Sequence, residues 1–456
     1  MSDFAEARIK HERGHVDEAV KMYDDILNSA VGKVNHEVLF FYGTALYQQG
    51  KVGLAAVVLK QCIDARPTFQ SAYQNLANCY RWANDYKGAE EIYKAGLELG
   101  ESADLEACLG GLWINRGNPQ KALYHYERSL AIEPRDDLVR FNMGFCFLEM
   151  GDWKRGWPLY DLGYITGARS PRQYLNLPIW RGEPDKTLIV WGEQGLGDEI
   201  MFASLIPDLK RICKRVIFDC HPRLVDTFKR SFPDIEVHGT RKNYNIEWVT
   251  KSDADMHCSV TTAAMYLRNE DKDFPGTPYL KADPEVVKAH RARSKRMRIG
   301  LTWAGGTKGT HMHARSFPVD TLLPILQQDA DFFSLQYTPN AAREVCVLEE
   351  KTGIHLAHMP GIAENQNYDA TINFIASLDL VITVCTTVHH ASAALGVPTW
   401  TMTPSEPAWR YGIKGTTVPW YKAARLFRQE KGEPWKVVVE RVAGELRKRL
   451  AMKEAA

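Results

Sequence analysis

The 456-residue chain carries no excess of charge of either sign: 57 Lys and Arg stand against 56 Asp and Glu, a formal net charge of +1. That balance gives no global pull toward nucleic acid. No apolar run approaches the ~18 residues needed to span a bilayer. The start, Met1-Ser-Asp-Phe-Ala-Glu-Ala-Arg8, lacks the apolar core of a secretion signal. Both absences lead to the expectation of a cytoplasmic protein. The nine cysteines form no Cys-x-x-Cys pair and read as small buried apolar residues of a reducing compartment. His311-Met-His313 with His221 comes nearest to a metal set, but no His-Glu-x-x-His supports it, so no metal site is expected. What the chain does have is length for two or three domains, and 45% hydrophobic residues to fill their cores.

Internal repetition occupies residues 1–160. Ala19, Ala55, Ala89, Ala122 and Gly156 follow one another at intervals of 36, 34, 33 and 34 residues. Gly14, Gly50, Gly117 and Gly151 each stand five positions ahead of one of these, where a turn is needed. Tyr23, Tyr93, Tyr126 and Tyr160 share one aromatic slot, and Pro67 and Pro134 end their units. This is the tetratricopeptide pattern of helix–turn–helix units, an all-α solenoid with a concave surface. Such repeats carry no chemistry of their own; they bind a protein or peptide, associate with a second copy, or brace a neighbour. Asn78, Asn115 and Asn142, on first helices, are candidates for clamping an extended acceptor chain.

Beyond a proline-interrupted stretch the pattern changes. Thr187–Trp191 is a short apolar run that meets Gly192, Gly195 and Gly197 and then the charged start of a helical pattern. The order reads strand, tight loop, helix, with glycines that permit positive φ and close approach of a ligand. Their spacing is not the G-x-G-x-x-G of dinucleotide enzymes. About 190 residues later the logic recurs: Leu380–Val384 is a buried-strand run, and Thr386 and Thr387 open the helical segment Val388–Leu395. Further strands are expected at Arg215–Asp219, Ile235–His238, Arg298–Trp303, 331–335 and Thr399–Met402, and a helix at about 434–452. Alternating strands and helices argue parallel sheets. The basic run Arg291–Arg298 reads as a solvated helix end.

Several pieces resemble the bacterial proteins that join tetratricopeptide repeats to a heptosyltransferase-like (family 9) glycosyltransferase. They are Trp191-Gly-Glu-Gln-Gly-Leu-Gly-Asp198, Ile299–Ala304, Arg315–Pro318, Phe333–Gln336, Asp379–Gly396, Pro407–Arg410 and Pro419–Arg428. The resemblance implies a GT-B-type pair of Rossmann-like α/β lobes behind the solenoid. The expected divisions are repeats at 1–162, a connector at 163–185, an acceptor-side lobe at 186–285 and a nucleotide-sugar lobe at 286–456. One position departs from the pattern: Cys385 stands where the family has an acid.

The implied activity is inverting, metal-independent transfer of a sugar from a nucleotide donor, with no cofactor beyond that co-substrate. A protein hydroxyl chosen by the repeats is the favoured acceptor. Asp198 is the implied base, on a loop shaped by Glu193, Gly195 and Gly197. Arg315 and Lys308 are the implied phosphate cations, Thr386, Thr387 and His390 the diphosphate donors, and Gln336 the nucleoside contact. The alternatives are a non-catalytic repeat scaffold with an inactive second half, and a transferase acting on a lipid-linked glycan or nucleic acid. Homo-oligomerisation through the repeats is a further expectation.

Overall fold

A computed structural model of the chain describes residues 3–29, 35–170, 174, 177–241, 246–291, 296–306, 312–362 and 367–454. Lys308 and His311 lie outside the described residues. The first helices are α1 (Asp3–Glu12), α2 (Val16–Ser29), α3 (His36–Gln48), α4 (Val52–Ala65) and α5 (Gln70–Trp82). They continue as α6 (Tyr86–Leu97), α7 (Ala103–Asn115), α8 (Pro119–Ile132), α9 (Asp137–Glu149) and α10 (Trp153–Asp161). Each pair turns through a left-handed residue at the place the repeat demands: Gly14, Gly50, Gly117 and Gly151, with φ of 83°, 77°, 65° and 79°. In the third pair Asn84 takes that place at φ 62°, the non-glycine residue that best tolerates it. Asp85, Asn118 and Asp152 then cap the second helices, each accepting a backbone N–H three residues on. Ala19, Ala55, Ala89 and Ala122 are wholly buried, as are Tyr23 and Tyr93.

The chain divides into two compact units, Met1–Cys146 and Phe147–Ala456, a division that falls within α9. Helix α10, which the repeat period makes the closing helix of the fifth pair, lies in the second unit. Its Trp157 donates from Nε1 to the Arg268 carbonyl at 2.6 Å and crosses the Trp409 ring at 5.6 Å. Trp153 donates to Asp271 at 2.8 Å. The connecting stretch is built in as well: Trp180 N–H donates to the His257 carbonyl at 2.9 Å, and Tyr174 Oη donates to Asp219 at 2.8 Å.

The second unit continues with β1 (Thr187–Trp191), α11 (Leu196–Phe202), α12 (Ile206–Ile212), β2 (Arg215–Asp219), α13 (Val225–Ser231), β3 (Glu236–His238) and α14 (Glu247–Thr250). Next come β4 (Met256–Ser259), α15 (Val260–Leu267), α16 (Pro284–Arg291), β5 (Arg298–Leu301), α17 (Leu323–Leu326), β6 (Asp331–Ser334) and α18 (Ala341–Thr352). Last are β7 (Ala357–His358), α19 (Asp369–Ala376), β8 (Leu380–Val384), α20 (Thr387–Ala394), β9 (Thr399–Thr403), β10 (Ala424–Arg428) and α21 (Trp435–Glu454). The strands form two parallel sheets, ordered β3-β2-β1-β4 and β10-β9-β8-β5-β6-β7. Strands β1 and β8 are buried along their whole length, which is why both read as continuous apolar runs. Strand order reverses between β1 and β4 in one sheet and between β5 and β8 in the other. At such a point the loops leaving adjacent strands part in opposite directions and open a crevice.

One local expectation is corrected. None of Gly192, Gly195 and Gly197 takes a positive φ; the left-handed residue of that loop is Gln194, at 60°. The glycines matter for closeness: a Cβ on Gly197 would meet His390 Cδ2 at 2.9 Å, and one on Gly192 would overlap the Glu199 carboxylate.

Candidate functional site

The crevice of the first sheet is filled by the protein's own side chains. Glu193, buried at the end of β1, accepts from Arg169 Nε at 3.0 Å, from Arg169 Nη2, from Tyr164 Oη at 3.1 Å and from Thr261. Arg169 is itself buried and also donates to the Tyr160 carbonyl at 3.0 Å. Gln194 is pinned by Tyr160 through its side chain and by Arg241 through its carbonyl, the latter at 2.7 Å. Glu199, wholly buried, pairs with Arg241 and accepts the His221 N–H at 2.7 Å; burial pushes its carboxyl up to about 8 against the pull of that arginine.

The second crevice has a different lining. After β5 the chain runs through Gly305 and Gly306 against the start of α20. A Cβ on Gly305 would overlap Thr386 Cγ2 and stand 3.2 Å from the Cys385 carbonyl. Gln336, fully buried, shapes this loop: Oε1 accepts the N–H groups of Trp303 and Ala304, and Nε2 donates to the Ala304 carbonyl, all at 3.0 Å. Thr386 caps α20 by accepting the Val388 N–H at 3.2 Å, and Thr387 is its first residue. The positive end of the helix dipole therefore opens onto the crevice. Arg315 donates to the Cys385 carbonyl at 3.1 Å, its guanidinium lying over Gly306, whose φ is +91°.

The two loops meet. Helix α11 packs on α20, and across that contact Asp198 forms an ion pair with Arg410. The other Asp198 oxygen accepts the Gly195 N–H at 3.1 Å, which closes the first turn of α11. Beside them Tyr279 donates to the Ile200 carbonyl at 2.6 Å, and the Tyr421 hydroxyl is hydrogen-bonded to His390 Nδ1 at 3.0 Å. The Cδ2 edge of His390 faces the Gly197 loop. Burial and the neighbouring His389 and Arg410 hold His390 well below the usual imidazole range, so it stays neutral.

Cys385 sits behind this contact, 2% exposed. Burial pushes its thiol up to about 12, although Arg315, Arg410 and Arg428 all pull it down. An acid at this position would face three guanidiniums; the thiol adds no negative charge to theirs. Arg428 is bound elsewhere, donating to the Gly415, Gly412 and Lys414 carbonyls at 2.7, 2.9 and 3.0 Å.

Asp198, Gly197, Thr386, Thr387, Arg315 and His390 thus gather at one place, with Gly195 and Gln336 shaping its loops and Glu193 turned into the neighbouring network. Arg410 and Tyr421 were not singled out as site residues in the sequence. Each stands inside a stretch that carries the resemblance, yet nothing local distinguishes an arginine that meets a carboxylate 212 positions away. Asn78, Asn115 and Asn142 lie in the first unit. At about 100° per residue, their offsets from Ala77, Gly110 and Gly144 place them within about 60° of one another around their helices. Asn78 accepts from Tyr93 Oη at 2.6 Å. Among the described residues no group of three or more His, Cys, Asp and Glu could hold a metal ion, and no helix is long and apolar enough to cross a membrane. Of the chain's Asp-x-Asp pairs, Asp255 takes the Thr187 N–H at 2.7 Å, Asp271 takes Trp153, and Asp331 begins β6.

A tetratricopeptide-repeat family model matches residues 46–105. The chain carries tetratricopeptide repeats. Protein FlbA of Caulobacter vibrioides is 25% identical over 464 residues, covering 89% of this chain and 77% of that protein. The human protein O-mannosyl-transferase TMTC1 is 31% identical over 83 residues, 18% of this chain and 9% of that protein. Among solved structures, MamA is 20% identical, with a TM-score of 0.31 over 36% of this chain and 94% of its own. The repeat protein therefore has extended similarity to FlbA and a weak, partial similarity to a glycosyl-transferring enzyme, of which the match spans less than a tenth.

Proposed function

We propose that the second unit is a GT-B-type glycosyltransferase of the heptosyltransferase-like kind, and that the repeats select a protein acceptor. The observation that carries this reading is the meeting of Asp198 with Arg410 at the mouth of the β5/β8 crevice, beside the start of α20. A carboxylate, cations and a helix N-terminus converge there, the set that sugar transfer from a nucleotide requires. In the reaction the acceptor hydroxyl gives its proton to Asp198 as its oxygen bonds to the anomeric carbon. The bond from that carbon to the diphosphate breaks, and its electron pair leaves on the phosphate oxygen. Arg315, the N–H groups of the first turn of α20 and the His390 ring stabilise the departing charge. The weak similarity to a human protein O-mannosyl-transferase supports a hydroxyl on a polypeptide as acceptor.

The test is to incubate the full chain with a panel of uridine, guanosine, adenosine, cytidine and thymidine nucleotide sugars and to measure released nucleotide. Turnover with one donor is the expected outcome, and Arg315→Ala should weaken binding of that donor about tenfold or more, the scale of one charge-assisted contact. Nucleotide binding without turnover would favour the second reading, a non-catalytic scaffold, whose motive is the neutral Cys385 among three arginines. No binding across the panel removes the transferase.

Acceptor choice has its own test. Replacing Asn78, Asn115 and Asn142 together by Ala should lower modification of a protein acceptor while donor hydrolysis by water persists. Equal loss of both rates, or of neither, would take acceptor choice away from these residues and favour self-association as the work of the repeats.

A further inference from the structure

We infer that the Asp198–Arg410 ion pair is a latch: Arg410 passes from the Asp198 carboxylate to the diphosphate of an arriving donor, and only then is Asp198 free to take the acceptor's proton. The inference rests on the reading of this site as a nucleotide-sugar transferase and adds an order of events to it.

Four observations lead here. Asp198 is held at both oxygens, by the Gly195 N–H at 3.1 Å and by Arg410, so the face that meets Arg410 is closed to an acceptor hydroxyl while the ion pair stands. Arg410 has no other ion-pair partner among the described residues, because the neighbouring Cys385 is a neutral thiol rather than an acid. Its Nε is buried with no hydrogen-bond partner, so the guanidinium retains a donor inside the site. Finally, its backbone is fixed while its tip is not. Trp409, the preceding residue, is clamped by the Trp157 and Tyr160 rings at 5.6 and 6.1 Å, whereas the tip lies over the Trp409 ring at 5.2 Å and has one ion pair to exchange.

The physical consequence is a competition. A guanidinium fork fits phosphate and carboxylate equally well in shape, and a diphosphate brings more negative charge than one carboxylate. An arriving diphosphate beside α20 and Arg315 therefore draws Arg410 away, and Asp198 keeps only its bond to Gly195. In the empty protein the base is masked. Donor binding unmasks it on the side where the acceptor must arrive, so the carboxylate cannot act before the leaving group is in place.

The latch makes a prediction opposite to that of a simple base. If Asp198 competes for Arg410, Asp198→Asn relieves the competition and tightens diphosphate binding. We expect a three- to tenfold lower Kd in calorimetric titrations with inorganic pyrophosphate and with uridine, guanosine and adenosine diphosphates, about the strength of a partly exposed ion pair. In an Arg410→Gln background the same Asp198→Asn change should have no effect, which is the coupling a double-mutant cycle reads. Unchanged or weaker binding by Asp198→Asn, or equal tightening with and without Arg410, overturns the latch. A wild-type chain that binds none of these anions overturns the donor site itself, a result distinct from the first. Should Asp198→Asn fail to fold, the structure of the wild-type protein with pyrophosphate decides. Arg410 on the anion and off Asp198 supports the latch; an intact ion pair beside a bound anion overturns it.

Discussion

If the proposed transferase reading holds, replacing Asp198 by asparagine should lower the rate of sugar transfer by about 100-fold or more, the usual scale for removing a general base. The substitution is nearly isosteric. The amide oxygen can still accept the Gly195 N–H, so the first turn of α11 keeps its cap and the loop its shape. What is lost is the negative charge facing Arg410 and the capacity to take a proton. The measurement is the initial rate at saturating donor, with thermal unfolding to show that the fold is intact. Two other carboxylates stand near the loop, and both are otherwise engaged: Glu193 by Arg169 and Glu199 by Arg241. An undiminished rate would therefore leave no base on this loop and point to one supplied by the substrate.

The second large effect is on stability. Glu193→Ala leaves Arg169 buried with its charge unpaired except for Asp161 at 3.8 Å. Breaking a buried ion pair at one partner costs about 3–5 kcal/mol, which for a unit of this size lowers the melting temperature by on the order of 10 °C. Replacing both partners by apolar residues, Glu193→Leu with Arg169→Met, should recover most of that loss, since the unpaired charge and not the missing attraction is the costly part. Differential scanning calorimetry of the three variants checks it. A single substitution that shifts the melting temperature by less than about 2 °C, under 1 kcal/mol on this scale, would show that solvent reaches Arg169.

Why some of this was legible in the sequence and some was not follows from range. The repeat period is local, and the turn residues kept it visible even where asparagine replaced glycine at Asn84. Strands β1 and β8 were legible because parallel strands buried on both faces cannot avoid being apolar throughout. Three strands were not anticipated. Met256–Ser259 and Ala357–His358 are four and two residues long and lack a β-branched run, and their places are fixed by β1 and β6 alongside. Ala424–Arg428 carries arginine at two of its five positions, without a period-2 alternation, and its place as a strand is fixed by pairing with β9. The loop residues of the site were legible as motif letters, since Thr386, Thr387 and Gln336 closely follow strand ends and Asp198 stands in the first turn of the helix after β1. Their mutual contacts were not: the Asp198–Arg410 pair and the Tyr421–His390 bond join segments that only the two sheets bring together.

The placement of α10 limits how this protein can be taken apart or recombined. Repeats add stability largely through their neighbours, so a solenoid can be lengthened or shortened upstream while its last pieces remain. Here the last pieces belong to the other unit. A fragment starting at the period's own end, residue 163, would leave the Arg268 carbonyl without Trp157, Thr262 without Asp161 and Gln194 without Tyr160. The loop after β1 would then lose one of the two residues that pin its left-handed position, with Arg241 the other. Exchange of repeats between related chains therefore has to happen ahead of Trp153, and a swap made at the visible repeat boundary would carry away contacts that belong to the second unit.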